Sequence, residues 1–190
     1  MQTFLNKELL TYLYTTLNKT DKEISNFFAI DRTHVTHTRK KFDINSNTTT
    51  GREGELAAIN ELGSRGIKAI DMNEKDKLND FDISANGYRL EVKSSKMYDD
   101  NSFTFTLSEG PHTRAKISGK RIKLSNGRTR KLFRLTCDFI LFVGLSNRKN
   151  YIWVIPSSFI PDNTQTIRIS LNSKRSKYIP FKERFDYLRR

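Results

Sequence analysis

The hydrophobic pattern of this chain opens with a helical period and shifts to a strand period past residue 66. Leu5, Leu9, Leu10, Leu13 and Leu17 recur at the three-to-four-residue spacing of one helix face. Thr20 or Asp21 can cap a second helix over residues 22–28, with Glu23 early in it and Ile24, Phe27 and Phe28 offered to a core. Ala29-Ile30 makes a short turn. Asp31 then caps a third helix over residues 32–41, with Val35 and Phe42 on its inner side. The tract 46–50, SNTTT, has the composition of a linker. Residues 51–66, GREGELAAINELGSRG, read as a helix with Leu56, Ala57, Ile59 and Leu62 in its middle and a glycine stop.

From there the period drops to two. Residues 67–72 read as a first, edge-like strand. Residues 81–85 and 88–92 alternate apolar and polar around Asn86-Gly87. That dipeptide is preferred in two-residue type I′ turns because both residues tolerate positive φ. Further strands are expected at 103–107, at 111–116, and at 121–124 and 129–135 around a second Asn-Gly, Asn126-Gly127. Residues 139–145 and 151–155 are almost continuously apolar, as in central strands buried on both faces. Residues 167–171 read as a last strand. Residues 181–188 read as a C-terminal helix with Phe181, Phe185 and Leu188 inward. The pattern predicts a small all-α domain, residues 1–46, before an α/β domain, residues 51–190, with a mixed sheet flanked by helices.

Charge narrows the class of partner. Lys and Arg number 34 against 21 Asp and Glu, a net charge of +13. Such an excess points to a polyanion, nucleic acid before membrane. It is uneven: residues 101–135 hold nine Lys/Arg and one Asp/Glu, whereas residues 51–100 hold eight and eleven. An acidic centre with basic flanks suits a metal site surrounded by phosphate-gripping groups. The single cysteine, Cys137, excludes an internal disulfide and a cysteine metal cluster. No apolar run approaches the ~18 residues of a membrane span. Lys7 and Glu8 interrupt any signal-peptide core. An intracellular, cytoplasmic protein is expected.

The first Asn-Gly hairpin carries the candidate chemistry. With Asn86 and Gly87 as the turn, Ala85 faces Tyr88, Ser84 faces Arg89, Ile83 faces Leu90, Asp82 faces Glu91, Phe81 faces Val92 and Asp80 faces Lys93. One face then holds Phe81, Ile83, Ala85, Tyr88, Leu90 and Val92, a core face; the other holds Asp80, Asp82, Ser84, Arg89, Glu91 and Lys93. Like charges directly opposed are destabilising, and a divalent cation between Asp82 and Glu91 would relieve them. Hard carboxylate oxygens suit magnesium, and Lys93 could reach a phosphate from the same face. The plain alternative is a solvated face on which Lys93 and Arg89 neutralise the acids.

The spacing Asp82-x8-Glu91-Val92-Lys93 resembles the PD-(D/E)xK nuclease superfamily, which includes many restriction endonucleases and Holliday junction resolvases. Phe81 stands where that family has proline. Gly51-x3-Glu55 has the spacing of the family's first nuclease-domain helix, although a lone Glu55 in a first turn also suits the helix dipole. The resemblance implies a restriction-endonuclease-like mixed sheet and a magnesium-dependent DNA endonuclease, with manganese able to substitute. It implies metal binding by Asp82 and Glu91, with the Val92 carbonyl and Glu55 in or near the ligand set. It also implies that Lys93 positions the attacking water, with double-stranded DNA as substrate and a homodimer as the assembly.

The first forty residues add a helix-turn-helix pattern, with Ser25 at the helix crossing and Ile24, Ile30 and Val35 as packing positions. Recognition helices put their N-terminal residues at base edges in the major groove. Arg32, Thr33, Thr36 and His37 are the candidate readers, with Arg39, Lys40 and Lys41 on phosphate. The alternative is a helical bundle for packing or dimerisation. The second Asn-Gly hairpin, with Arg121, Lys123, Arg128, Arg130, Lys131 and Arg134, is a candidate phosphate clamp, the alternative being a solvated basic loop. A site-specific restriction-type enzyme is the first expectation. A Holliday junction resolvase, a homing-type endonuclease and a non-catalytic DNA-binding regulator are the others.

Overall fold

The computed structural model describes residues 5–17, 19–44, 49–75, 79–110 and 119–189. The chain divides into two compact units, Met1–Thr49 and Thr50–Arg190.

In the first unit α1 (Lys7–Thr11) starts on Asn6, whose side chain accepts the Leu9 N–H at 2.8 Å. It runs into a π-helical turn, Tyr12–Thr16. Thr20 and Glu23 form a reciprocal capping box at the head of α2 (Asp21–Phe27), so two orphan backbone donors are satisfied at once. Asp31 caps α3 (Arg32–Lys41) by accepting the Thr33 N–H at 2.7 Å. Between α2 and α3, Ala29 takes a left-handed φ of 51°, a conformation that disfavours a Cβ. Leu5, Leu10, Leu13, Tyr14, Ile24 and Val35 form the core, with Ile30 and Phe42 packed against it.

A buried polar hub ties these helices together. Asp21 accepts from the Tyr14 hydroxyl at 2.5 Å, the Thr36 hydroxyl at 2.7 Å and Arg39 Nε at 3.1 Å. Burial alone would raise the Asp21 carboxyl, but these donors together hold it below the usual carboxylate range. Arg39 also donates to the Ile44 carbonyl at 2.8 Å. The expectation that Arg39 grips phosphate is therefore corrected: its guanidinium faces inward because α3 brings it over Asp21, one helix away. Arg39→Ala leaves a buried carboxylate short of its cation, a change that costs about 3–5 kcal/mol. Thermal melting should show the first unit losing its cooperative transition, whereas Lys40→Ala, on an exposed side chain, melts like the parent.

The second unit is organised on a five-stranded sheet of order β1-β2-β3-β8-β9. In chain order its elements are α4 (Thr50–Ser64), β1 (Ala69–Asp71), α5 (Met72–Lys75), β2 (Ile83–Ala85), β3 (Tyr88–Lys96), β4 (Ser102–Thr106), β5 (Ser108–Glu109), β6 (Arg121–Lys123), β7 (Thr129–Lys131), α6 (Phe133–Thr136), β8 (Phe139–Leu145), β9 (Tyr151–Pro156) and β10 (Thr166–Ser170). β3 and β8 are parallel; the other pairs of this sheet are antiparallel. Period-two alternation splits the core. Leu90, Val92, Leu141, Val143 and Val154 join Ala58 and Leu62 of α4 on one face. Ile140, Phe142, Trp153 and Ile155 join Phe103, Phe105, Ile167 and Ile169 on the other. The latter four come from a separate ribbon, β10-β4. A third small sheet, β5-β7-β6, carries the basic hairpin. Gly54 lets α4 close on β3: a Cβ there would lie 2.1 Å from Ser94 Oγ.

Four expectations change. The expected strand 103–107 forms, as β4, but pairs with β10 and not with the main sheet. The expected strand 129–135 ends at Lys131, and α6 follows, burying Phe133 and Thr136 at helical spacing. The C-terminal helix is two 3₁₀ turns, Ile179–Phe181 and Phe185–Leu188. The Glu183 N–H is spent on the Ile152 carbonyl at 2.8 Å, with Glu183 at φ 55°, so the segment pairs with the edge of β9 and cannot continue a helix. Phe185 and Leu188 are nonetheless buried. The last change is the hairpin register. Ala85–Tyr88, Ser84–Arg89 and Ile83–Leu90 pair as expected, and the ladder stops there. Phe81 turns to the opposite core and Asp80 pairs with Lys120. The expected strand 111–116 lies outside the described residues.

Candidate active site

β3 places Glu91 and Lys93 two residues apart on one face, beside Ile140 and Phe142 of β8. Because β3 is an interior strand with both sheet faces covered, Glu91 is only 3% exposed. An isolated carboxylate so buried would neutralise itself. Here two ammonium groups hold it: Lys93 Nζ at 2.7 Å on Oε1 and Lys131 Nζ at 2.5 Å on Oε2. Burial pushes Glu91 up, but Lys93 and Lys131 outweigh it and keep the carboxyl below the ordinary range. Burial likewise pulls Lys93 down, and the Glu91 charge more than restores it. The Lys93 ammonium also lies 5.6 Å from the centre of the Phe133 ring.

Asp82 occupies the point where β2 leaves the ladder. Its N–H donates to the Leu90 carbonyl at 3.0 Å and its carbonyl accepts the Met72 N–H at 2.9 Å. Its side chain then takes the place of the next rung: Oδ2 accepts the Val92 N–H at 2.7 Å. Asp82 is thus not a ladder partner of Glu91, as the register predicted, but reaches the same stretch of β3 through its carboxylate. Oδ1 has one long contact, 3.4 Å from the Asn73 amide. Burial, followed by the Glu91 charge, pushes the Asp82 carboxyl up to about 6. The Val92 hydrogen bond and Lys93 pull the other way without cancelling this, and Glu55 adds a smaller upward contribution. Among the described residues Asp82 has no ion pair. In a strand the N–H and C=O of a residue leave on the same side, so the Val92 carbonyl is directed to the side where Asp82 sits.

Glu55 comes from α4 and is near enough for its charge to act on Asp82. It is held by Arg52 at 3.0 Å, and Arg52 also reaches Asp71 at 2.5 Å and Glu74 at 3.1 Å. The structure therefore gathers Asp82, Glu91 and Lys93 around one end of the β2–β3 pair, with Glu55, held by Arg52, acting on Asp82 through its charge. Among the described residues, no three His, Cys, Asp or Glu side chains form a ready-made metal cage.

The basic hairpin is used differently from the expected clamp. Arg121 pairs with Glu109 at 2.5 Å, and Arg128 donates to the Ser108 hydroxyl and carbonyl at 2.8 and 3.0 Å. Arg130 is fully buried, 5.1 Å from the Phe133 ring centre, with no hydrogen-bond partner among the described residues. Burial lowers its pKa. Only Lys123 of β6 and β7 is exposed. The correction has one cause: pairing β7 between β5 and β6 turns Arg130 inward and brings Lys131 onto Glu91. In the first unit Arg32, Thr33, His37 and Lys40 are exposed, while Thr36 is half-buried on Asp21.

The fold is similar to that of a bacterial homing endonuclease, I-Ssp6803I. The superposition covers 73% of this chain and 89% of that one, with a TM-score of 0.54 and 12% identity. At that identity the likeness to I-Ssp6803I is one of fold. No protein-family model matches the chain, and a search of curated proteins finds no relative.

Three residues bear on the site in ways the sequence assigns differently or not at all. In sequence Lys131 belongs to the candidate phosphate clamp, and nothing local links it to a glutamate 40 positions earlier. Asn73 reaches Asp82, and Arg52 reaches Asp71 and Glu74, only through the chain around the end of β1; the Arg52–Glu55 pair is a local i,i+3 contact within α4, a spacing the sequence does carry. Among the described residues no helix is long and apolar enough to cross a membrane.

Proposed function

We propose that this chain is a metal-dependent endonuclease of double-stranded DNA. The observation that carries the reading is the convergence of Asp82, Glu91 and Lys93 at the end of the β2–β3 ladder, with Asp82 half-buried beside a like charge and lacking an ion pair among the described residues. The donor set fits a hard divalent cation. Two carboxylates, the Val92 carbonyl and water are what magnesium takes, and manganese accepts the same oxygens. Asp82 and Glu91 would hold the ion, with Glu55 near it. Bound there, it would supply positive charge to the phosphate and a more acidic water. Lys93 would donate to a phosphate oxygen or orient the attacking water from the same face, and Phe133 restricts where its ammonium can go. Asp82 gains its charge only above about pH 6, so the site is competent at neutral pH and loses its ion as protons compete for the ligands.

Among site-specific enzymes the fold likeness to I-Ssp6803I supports a homing-type role alongside the restriction-type one. In either, the capped α2-turn-α3 arrangement and the exposed Arg32, Thr33, His37 and Lys40 support reading the first unit as a helix-turn-helix that selects sequence. A homodimer would present two such sites to two strands.

The test is a digest of plasmid and of a four-way junction, each with magnesium or with EDTA. Discrete magnesium-dependent plasmid bands support the reading; junction-only cutting replaces it with a resolvase; binding without cutting replaces it with a regulator. A chain beginning at Thr50 should keep nicking at low salt but lose site preference, and its activity should fall steeply with salt because phosphate contacts release counterions. A mixed-sequence library, digested by both proteins at two salt concentrations, checks this. Unchanged sites in the shorter chain would move specificity to the second unit.

A further inference from the structure

Both oxygens of Glu91 are already occupied. Lys93 holds Oε1 at 2.7 Å and Lys131 holds Oε2 at 2.5 Å. A divalent cation can use this carboxylate only if one ammonium group yields. The two lysines are not equivalent. Lys93 lies on the same strand and face as Glu91, so the backbone keeps it close whatever occupies the site. Lys131 arrives from β7 in a different sheet and meets Glu91 only through its own four-carbon arm. Glu91 by itself therefore carries two cations, Lys93 and Lys131, and a dication brought to the same carboxylate is repelled by both unless one withdraws or an anion arrives.

We propose that Lys131 is the built-in competitor of the divalent cation for Glu91: it neutralises the carboxylate in the metal-free protein and leaves Oε2 when the ion binds. The proposal rests on the metal-site reading above. It makes ion binding weak in the free protein, and it frees an ammonium group whose natural partner is then a phosphate of the bound DNA. Metal and DNA would therefore strengthen each other's binding, with the Lys131 side chain as the moving part.

The experiment is a titration of the full-length protein with Mn²⁺ alone, without DNA, followed by the electron paramagnetic resonance signal of the free ion. Wild type is compared with Lys131→Gln and Lys131→Arg, each checked for a cooperative melt. Glutamine keeps an N–H donor for Oε2 but removes the competing charge, so Mn²⁺ should bind roughly tenfold tighter. Arginine grips a carboxylate with a two-pronged donor set and should weaken Mn²⁺ a few-fold. Should the glutamine variant not fold, the arginine variant decides alone. Equal or weaker binding by Lys131→Gln, or equal or tighter binding by Lys131→Arg, overturns the proposal while leaving the metal site standing. No Mn²⁺ binding by any of the three removes the metal-site reading and this inference with it.

Discussion

Lys93→Met should cut DNA roughly 10²–10³-fold more slowly than wild type in single-turnover assays, a loss typical of removing one preorganised charge donor. DNA affinity should stay within a few-fold. The separation follows from placement. The Lys93 ammonium is bound to a buried carboxylate and lies over the Phe133 ring, so it adds little to the surface that meets the DNA backbone. Methionine keeps most of the side-chain volume, and Lys131 still neutralises Glu91, so the fold is retained. Filter binding alongside the cleavage assay separates the two effects. Cleavage at the wild-type rate would remove Lys93 from the chemistry and leave it as a structural counter-ion. A parallel loss of binding would make it a docking residue.

The two carboxylates should respond in opposite ways to losing their charge in EDTA. Glu91→Gln removes the anion shared by two largely buried ammonium groups. Breaking such a cluster from one side costs on the order of 3 kcal/mol. Asp82→Asn removes a charge that the fold resists. The Asp82 carboxyl is raised from 3.8 to about 6, so its contribution to stability is complete below about pH 4 and is lost as pH rises through 6. At neutral pH that loss is on the order of 2–3 kcal/mol, and asparagine restores it while still accepting the Val92 N–H. Thermal melts of both variants at pH 4.5 and pH 7 check this. Asp82→Asn should melt higher than wild type at pH 7 and close to it at pH 4.5, and Glu91→Gln lower at both. Both should lose metal-dependent cleavage. If Asp82→Asn melts lower at pH 7, Asp82 has a stabilising cation partner and the metal argument fails at its base.

The contrast between these carboxylates was not legible as sequence. Treated as a facing like-charge pair, Asp82 and Glu91 should both gain stability on neutralisation. The fold makes one a strained acid at the end of a ladder and the other the centre of a cation pair, because the register past Ile83 is set by tertiary contacts. The Met72 N–H claims the Asp82 carbonyl, and the chain turns off before a fourth pair can form.

The sequence by itself determined the local elements. Caps at Thr20 and Asp31, the two Asn-Gly turns, the helix beginning near residue 50 and the apolar runs that became β8 and β9 all depend on neighbours within a few positions. Their physics of capping, positive φ and period is therefore readable from the string. It also brought Asp82, Glu91 and Lys93 to one hairpin, since an Asn-Gly turn sets pairing over its first three rungs. What only the tertiary structure decided is which charges meet at long range. Arg39 is drawn inward by Asp21, 18 positions away, and Lys131 is drawn onto Glu91, 40 positions away. A basic residue on a strand or helix looks the same in sequence whether it ends in water, on a phosphate or against a buried acid. Burial makes the last of these compulsory, because a carboxylate removed from water must find its cation wherever the fold supplies one.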